Sequence, residues 1–215
     1  NPANPIIGRF QRSFGSEAGL VANHAAAFID AYHQHGIACC LKHFPGHGSA
    51  AGDSHLGFVD NTGQWRPEEL GPYQKLIADG FADSVMTAHV VNRQLDTSGL
   101  PATLSAPVIS GLLRDRLGFP GVIISDDLQM RAISDRWSYA EAVQNALLAG
   151  VDLIIVCNVL AREEDAVGRG IRAVEEMLAA GRISERRVRD SLQRIAILKQ
   201  KIGGEVPWQP SQPTA

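Results

Sequence analysis

Short runs of β-branched and aliphatic residues alternate along this chain with longer stretches of helical period, and this alternation predicts an α/β protein built from repeated βα units around a parallel sheet. Two further observations agree. Polar and titratable residues gather where the apolar runs end, at the edge where a βα architecture carries its sites. The 215 residues, 45% of them hydrophobic and 20% charged, suffice for one substantial core.

In chain order, a helix is expected from Ser16 to Gly36, then a first strand over 36–42 (GIACCLK) that delivers Lys42 and His43 to the carboxyl edge. A long connection runs from His43 to a helix beginning near Glu68. The second strand, 84–88 (SVMTA), ends at His89. Ser105 caps a helix that stops at Gly118, and the third strand, 121–125 (GVIIS), runs straight into Asp126 and Asp127. Ser138 and Glu141 have the spacing of a capping box ahead of the next helix. The fourth strand, 152–157 (DLIIVC), ends at Asn158, whereas Asp152 begins it at the opposite edge and is read as structural. Helices over 162–180 and 185–202 follow, and the Pro-rich residues 204–215 are expected to form a flexible tail.

Four strands do not close an eight-stranded barrel, which takes about 250 residues. The expectation is a TIM-barrel-like (β/α)8 fold with a part absent: either the N-terminal strands are missing from this chain, which leaves residues 1–203 as its C-terminal two-thirds, or something else completes the barrel.

Composition excludes several roles. A net charge of −3 gives no field for nucleic acid or for an anionic membrane surface. No apolar run approaches the ~20 residues that span a bilayer, so the chain reads as soluble. Its three cysteines, the adjacent Cys39 and Cys40 and the isolated Cys157, are read as buried reduced thiols, which favours a cytoplasmic setting. The oligomeric state is open.

The connection after His43 exceeds the ~12–15 residues that compact domains carry without purpose. It contains Gly46, Gly48 and Gly52, then Asp53-Ser54-His55, and these predict a mobile loop. In an extended segment Asp53 and His55 leave the same face, so the carboxylate can hold one imidazole nitrogen while the other meets a substrate. A turn in which Asp53 caps backbone amides and leaves His55 at the surface fits the same spacing. At the third strand's end, one of Asp126 and Asp127 is expected to react; the alternative is that one of them only caps the next helix, and the two readings are compatible, one per residue. No Gly-Lys-Ser/Thr follows the glycines, which argues against a phosphate loop. His43, His47, Asp53, His55, His89 and Asp126 could converge on a divalent ion, although no ligand spacing marks one.

The series Lys42-His43-Phe44-Pro45-Gly46-His47-Gly48, Asp53-Ser54-His55, Met86-Thr87-Ala88-His89, Pro101-Ala102-Thr103-Leu104-Ser105 and Ser125-Asp126-Asp127-Leu128-Gln129-Met130 resembles family 3 glycoside hydrolases, above all the β-N-acetylglucosaminidase branch. The resemblance runs from about Asn4 to Gly203. It implies a retaining hydrolase that releases β-linked N-acetylglucosamine, with peptidoglycan fragments the favoured source. Asp126 would be the nucleophile, His55 the general acid/base and Asp53 its partner, with Arg12, Lys42 and His43 holding sugar hydroxyls. His89, Asp127 and Asn158 would support them from behind. No cofactor or metal is implied. The family's early strands, with an acidic residue that grips the sugar's outer hydroxyls, have no counterpart in this sequence. A phosphorylase on the same bond, a metal-dependent barrel hydrolase and a catalytically silent sugar-binding protein are the alternatives.

Overall fold

A computed structural model describes residues 4–159 and 164–202. Four strands form one sheet in the order β1-β3-β5-β6, namely β1 (Cys40–Phe44), β3 (Ser84–Thr87), β5 (Val122–Asp127) and β6 (Leu153–Ile155). Every pairing is parallel. Parallel neighbours require crossover connections, and helices supply them: α1 (Ala18–His33) before β1, α2 (Gly71–Ala78) before β3, and α4 (Tyr139–Ala149) before β6. A π-helix over Pro107–Arg116 precedes β5, a single turn α3 (Arg131–Ser134) follows it, and α5 (Ala166–Ala179) and α6 (Glu185–Lys201) close the described chain.

Position in the sheet decides burial. Val85 and Ile123, on the two inner strands, are fully buried beside Phe44, Leu113 and Phe119. The outer strand β6 keeps Leu153 36% exposed. Among the described residues, the outer edges of β1 and β6 have no strand partner. The sheet is thus an open parallel array with the element order of βα units and not a closed barrel.

The Ser138 capping box forms as expected, with Ser138 Oγ accepting from the Glu141 N–H and the Glu141 carboxylate accepting from the Ser138 N–H. Ser105 Oγ accepts from the Val108 N–H at 3.2 Å at the start of the π-helix. Boundaries shift elsewhere. The first strand begins at Cys40, where pairing with Ser84 starts, and runs through His43 to Phe44. The third continues through Asp126 and Asp127, because its ladder with β6 reaches Ile155. The fourth is only three residues long. The last two helices lie inside the expected ranges, residues 160–163 and the expected tail 204–215 being outside the described residues.

Two further strands were not anticipated. β2 (Val59–Asp60) lies in the long connection and pairs in parallel with β4 (Val90–Val91). Val59, Val90, Ala50 and Ala88 make a small second core under that connection. The cysteines also differ from expectation: Cys39 and Cys40 are half-buried and Cys157 is exposed, all as free thiols.

At the amino edge, Asp152 is a structural hub. Its carboxylate accepts from Arg114 at 2.9 Å, from Arg194 at 2.7 Å and from the Ile123 N–H at 3.0 Å, with Ser191 at 2.5 Å and Arg187 at 3.5 Å. Burial works to raise this carboxyl, but the hydrogen bonds from Arg194, Ser191 and Ile123 outweigh it and hold it below the usual range. Asp83, just before β3, does the same for His33 at 2.7 Å and Lys201 at 3.2 Å. Helix α6 is therefore tied to the sheet through both carboxylates.

Candidate active site

The carboxyl ends of β1 and β5 and the long connection enclose a cleft of about 130 Å³. Arg12, Lys42, His43, His55 and Asp126 line it, with Ile6, His47 and Ser54 completing the wall. Five residues expected at the site from sequence thus share one cavity.

Asp126 is the penultimate residue of β5. Its Oδ1 accepts from the Asp127 N–H at 2.9 Å, while its Oδ2 lies 3.8 Å from His43 Nε2. One oxygen is held by backbone and the other stands beside the His43 ring. Burial pushes His43 down from the usual 6.5 to about 4 against the opposing pull of Asp126. His43 is therefore neutral near pH 7 and contributes to this cavity as a hydrogen-bonding ring. The cleft's fixed cations are Arg12, whose Nη1 donates to the Ile6 carbonyl at 3.1 Å, and the exposed Lys42.

Asp53 and His55 meet, but in a turn and not in an extended segment. Asp53 Oδ1 accepts from the His55 N–H at 2.9 Å and lies 2.7 Å from His55 Nδ1, and the Leu56 N–H returns to the Asp53 carbonyl at 3.1 Å. The short Asp side chain captures the amide two residues on, which bends the chain and still presents the ring. The turn and the carboxylate–imidazole contact therefore occur together, without the extended segment. Burial acts to raise the Asp53 carboxyl, yet the two His55 contacts hold it below the usual range. His55 itself is 54% exposed at the side chain.

The base of this loop is fixed. Asn4 Nδ2 donates to the carbonyls of His47 at 2.8 Å and Ala50 at 2.9 Å, and Trp65 Nε1 donates to the Pro45 carbonyl at 3.0 Å. Ser54, buried between the half-buried Asp53 and the exposed His55, offers its carbonyl to the Ala132 N–H at 3.3 Å and places Oγ 3.5 Å from His47 Nε2. Glu69 Oε1 accepts from Ser49 Oγ at 2.5 Å. Asn4, Ser54 and Glu69 were not singled out from sequence as supports. Asn4 Oδ1 accepts from the nearby Ile6 and Ile7 N–H groups, but the carbonyls that its Nδ2 holds lie more than 40 residues away, and sequence does not signal that link.

His89, Asp127 and Asn158 lie behind the cleft. His89 is buried, with Nε2 2.9 Å from the Asp127 carbonyl. Asp127 Oδ1 accepts from the N–H groups of Gln129 and Cys157, and so ties the end of β5 to the residues after β6. Asn158 exchanges two hydrogen bonds with the Gln129 side chain, at 2.6 and 2.9 Å. Asp127, the candidate helix cap, holds two loop amides instead of a helix terminus. Among the described residues, no group of three or more His, Cys, Asp or Glu is arranged to hold a metal ion.

A parallel βα array with a strand-end carboxylate and an Asp-His loop at one cleft is the arrangement that the resemblance seen in the sequence implies. Residues 1–198 match the glycosyl hydrolase family 3 N terminal domain, and the chain is a member of this family. It is 42% identical to a beta-hexosaminidase of Tolumonas auensis over 156 residues, which is 71% of this chain and 46% of that protein. Among solved structures it resembles a family 3 beta-N-acetylglucosaminidase from a Paenibacillus species, with a TM-score of 0.86, 37% identity, and coverage of 99% of this chain and 40% of that one. A beta-glucoside phosphorylase, BglX, bound to 2FGlc, is similar with a TM-score of 0.79 and 29% identity over 94% of this chain and 37% of that one. The chain thus spans less than half the length of these relatives.

Proposed function

We propose that the protein is a retaining glycoside hydrolase that releases β-linked N-acetylglucosamine, with peptidoglycan-derived fragments in the cytoplasm as its substrate source, and that residues 1–203 are the C-terminal two-thirds of its βα barrel. One observation carries the reading: Asp126, its Oδ1 held by backbone and its Oδ2 beside His43, and His55, paired with Asp53, line the same cleft.

In the first step an Asp126 oxygen forms a bond to the anomeric carbon as the glycosidic bond breaks, and protonated His55 gives its proton to the departing oxygen. In the second, neutral His55 takes a proton from water, whose oxygen attacks the same carbon and frees Asp126. Two displacements restore the β configuration. The Asp53 carboxylate supports the imidazolium between steps. Arg12, Lys42 and neutral His43 hold sugar hydroxyls. None of these steps calls for a metal.

Proton NMR of the first-formed sugar from an aryl N-acetyl-β-glucosaminide is expected to show the β anomer, and a fluorinated glycoside is expected to add mass to the peptide carrying Asp126. An α product, or label on the Asp53 peptide, would exclude the mechanism. The structural similarity to a beta-glucoside phosphorylase supports one second reading, in which phosphate replaces water. A histidine base, unlike a carboxylate, is neutral when it receives the incoming nucleophile and does not repel an anion. Formation of a sugar 1-phosphate on adding inorganic phosphate separates the two. Metal analysis of the purified protein and turnover itself separate the metal-dependent and silent alternatives.

A further inference from the structure

The Pro101-Ala102-Thr103-Leu104-Ser105 segment stands out in the sequence, yet none of its residues reaches the cleft. The short 3₁₀ turn Ala102–Leu104 buries Thr103 completely at the end of β3. Thr103 Oγ1 lies 2.7 Å from Thr87 Oγ1 and 2.8 Å from His89 Nδ1, and 3.0 Å from the Ala88 carbonyl. On the far side of the ring, His89 Nε2 is 2.9 Å from the Asp127 carbonyl. The Asp127 N–H is in turn the donor to Asp126 Oδ1.

Counting protons orients this series. A carbonyl only accepts, so the contact with Asp127 requires the proton on His89 Nε2. His89 is 1% exposed, and burial lowers its proton affinity, so the ring is neutral and Nδ1 must accept. Thr103 has one hydroxyl proton, which therefore goes to Nδ1. Thr87, also fully buried, then donates to Thr103. The Ala88 carbonyl does not need that hydroxyl, because it already accepts the Thr103 N–H at 3.2 Å.

We propose that Thr103 is a positioning residue for Asp126: with Thr87 behind it, Thr103 anchors the His89 ring by donating to Nδ1, His89 holds the Asp127 carbonyl, and the Asp127 peptide aims the Asp126 carboxylate. This rests on the reading of Asp126 as nucleophile. The series is buried throughout, so its members act on the carboxylate's orientation and not on sugar binding. Loss of the Thr103 hydroxyl is expected to leave the buried His89 Nδ1 without its donor, the ring without its anchor and Asp126 misaligned for attack.

The test uses the longest natural form of the protein, with an aryl N-acetyl-β-glucosaminide as substrate and imidazole-labelled histidines for ¹⁵N NMR. Thr103→Val is expected to lower kcat about tenfold, the order of one lost buried hydrogen bond, with KM within about twofold. Thr103→Ser is expected to restore kcat. In the unmodified protein near neutral pH, His89 is expected as a single neutral tautomer with its proton on Nε2. A proton on Nδ1, a doubly protonated ring, or a Thr103→Val variant with unchanged kcat would overturn the proposal. The tautomer is measured without turnover, so an inactive unmodified protein would sink the glycosidase reading while the NMR still decides the relay.

Discussion

Asp53 Oδ1 receives two hydrogen-bonding groups of one residue, the backbone N–H and the ring Nδ1 of His55, and this double contact leaves His55 Nε2 as the ring atom available to a substrate. If that nitrogen delivers the proton, the cost of removing it depends on the leaving group. A positioned acid contributes on the order of 10²–10⁴-fold. His55→Ala is expected to lose about that much on glycosides of alkyl alcohols and far less on those of acidic phenols, whose oxygen departs as the anion. Asp53→Ala is expected to weaken the same steps by a smaller factor, since the ring stays but loses its holder. Pre-steady-state rates on two leaving groups of different acidity check both, and an equal loss on the two would reassign His55 to sugar binding. The pair was legible in sequence from its two-residue spacing. Its turn geometry was not, because spacing alone leaves open whether the Asp side chain bonds a ring or an amide, and here it bonds both.

At the scale of elements, helix α6 depends on a carboxylate at the start of a strand. The Asp152 side chain is fully buried, with three guanidinium groups within 4 Å. Removing one member of a buried charged network leaves the others unpaired, typically at a cost of about 3–5 kcal/mol. Asp152→Ala is expected to destabilise the fold by about that amount in urea denaturation, through detachment of α6 from the sheet. A loss under 1 kcal/mol would show that the Arg114, Arg187 and Arg194 contacts with backbone carbonyls and Ser191 suffice. The role of Asp152 followed from its place at the amino end of an apolar run. The main strands and the capped helices were legible in the same way, from periodicity and capping residues. Strand ends were not, because pairing with neighbours decides where a strand stops: Cys40 opens β1 opposite Ser84, and Asp127 closes β5 opposite Ile155. The two-residue strands β2 and β4 are too short to carry a period, and their pairing joins residues 31 positions apart.

Across the whole molecule, burial sets the response to acid. His43, His47 and His89 all have proton affinities lowered chiefly by burial, His43 to about 4. In an unfolded chain each titrates near 6.5. Between these values the unfolded state binds protons that the folded state refuses, so each ring contributes stability that is present above pH 6.5 and lost as pH falls toward its folded value. For His43 the loss runs through the window from 6.5 down to about 4. The carboxyls of Asp53, Asp83 and Asp152 are also held below the usual range. Their contribution is present above the ordinary carboxylate value and is lost only in stronger acid. Stability is therefore expected to fall in two stages, first through the histidines below pH 6.5 and then through the carboxylates below about pH 4. Urea denaturation at half-unit steps from pH 8 to pH 4 measures the first stage. His43→Gln, which keeps a polar group at the end of β1 but cannot titrate, is expected to flatten the slope in that window. A profile that is level from pH 7 to pH 5, or a slope unchanged by the substitution, would mean that the His43 ring accepts a proton inside the folded site. The neutral role assigned to His43 beside Asp126 would then fail as well.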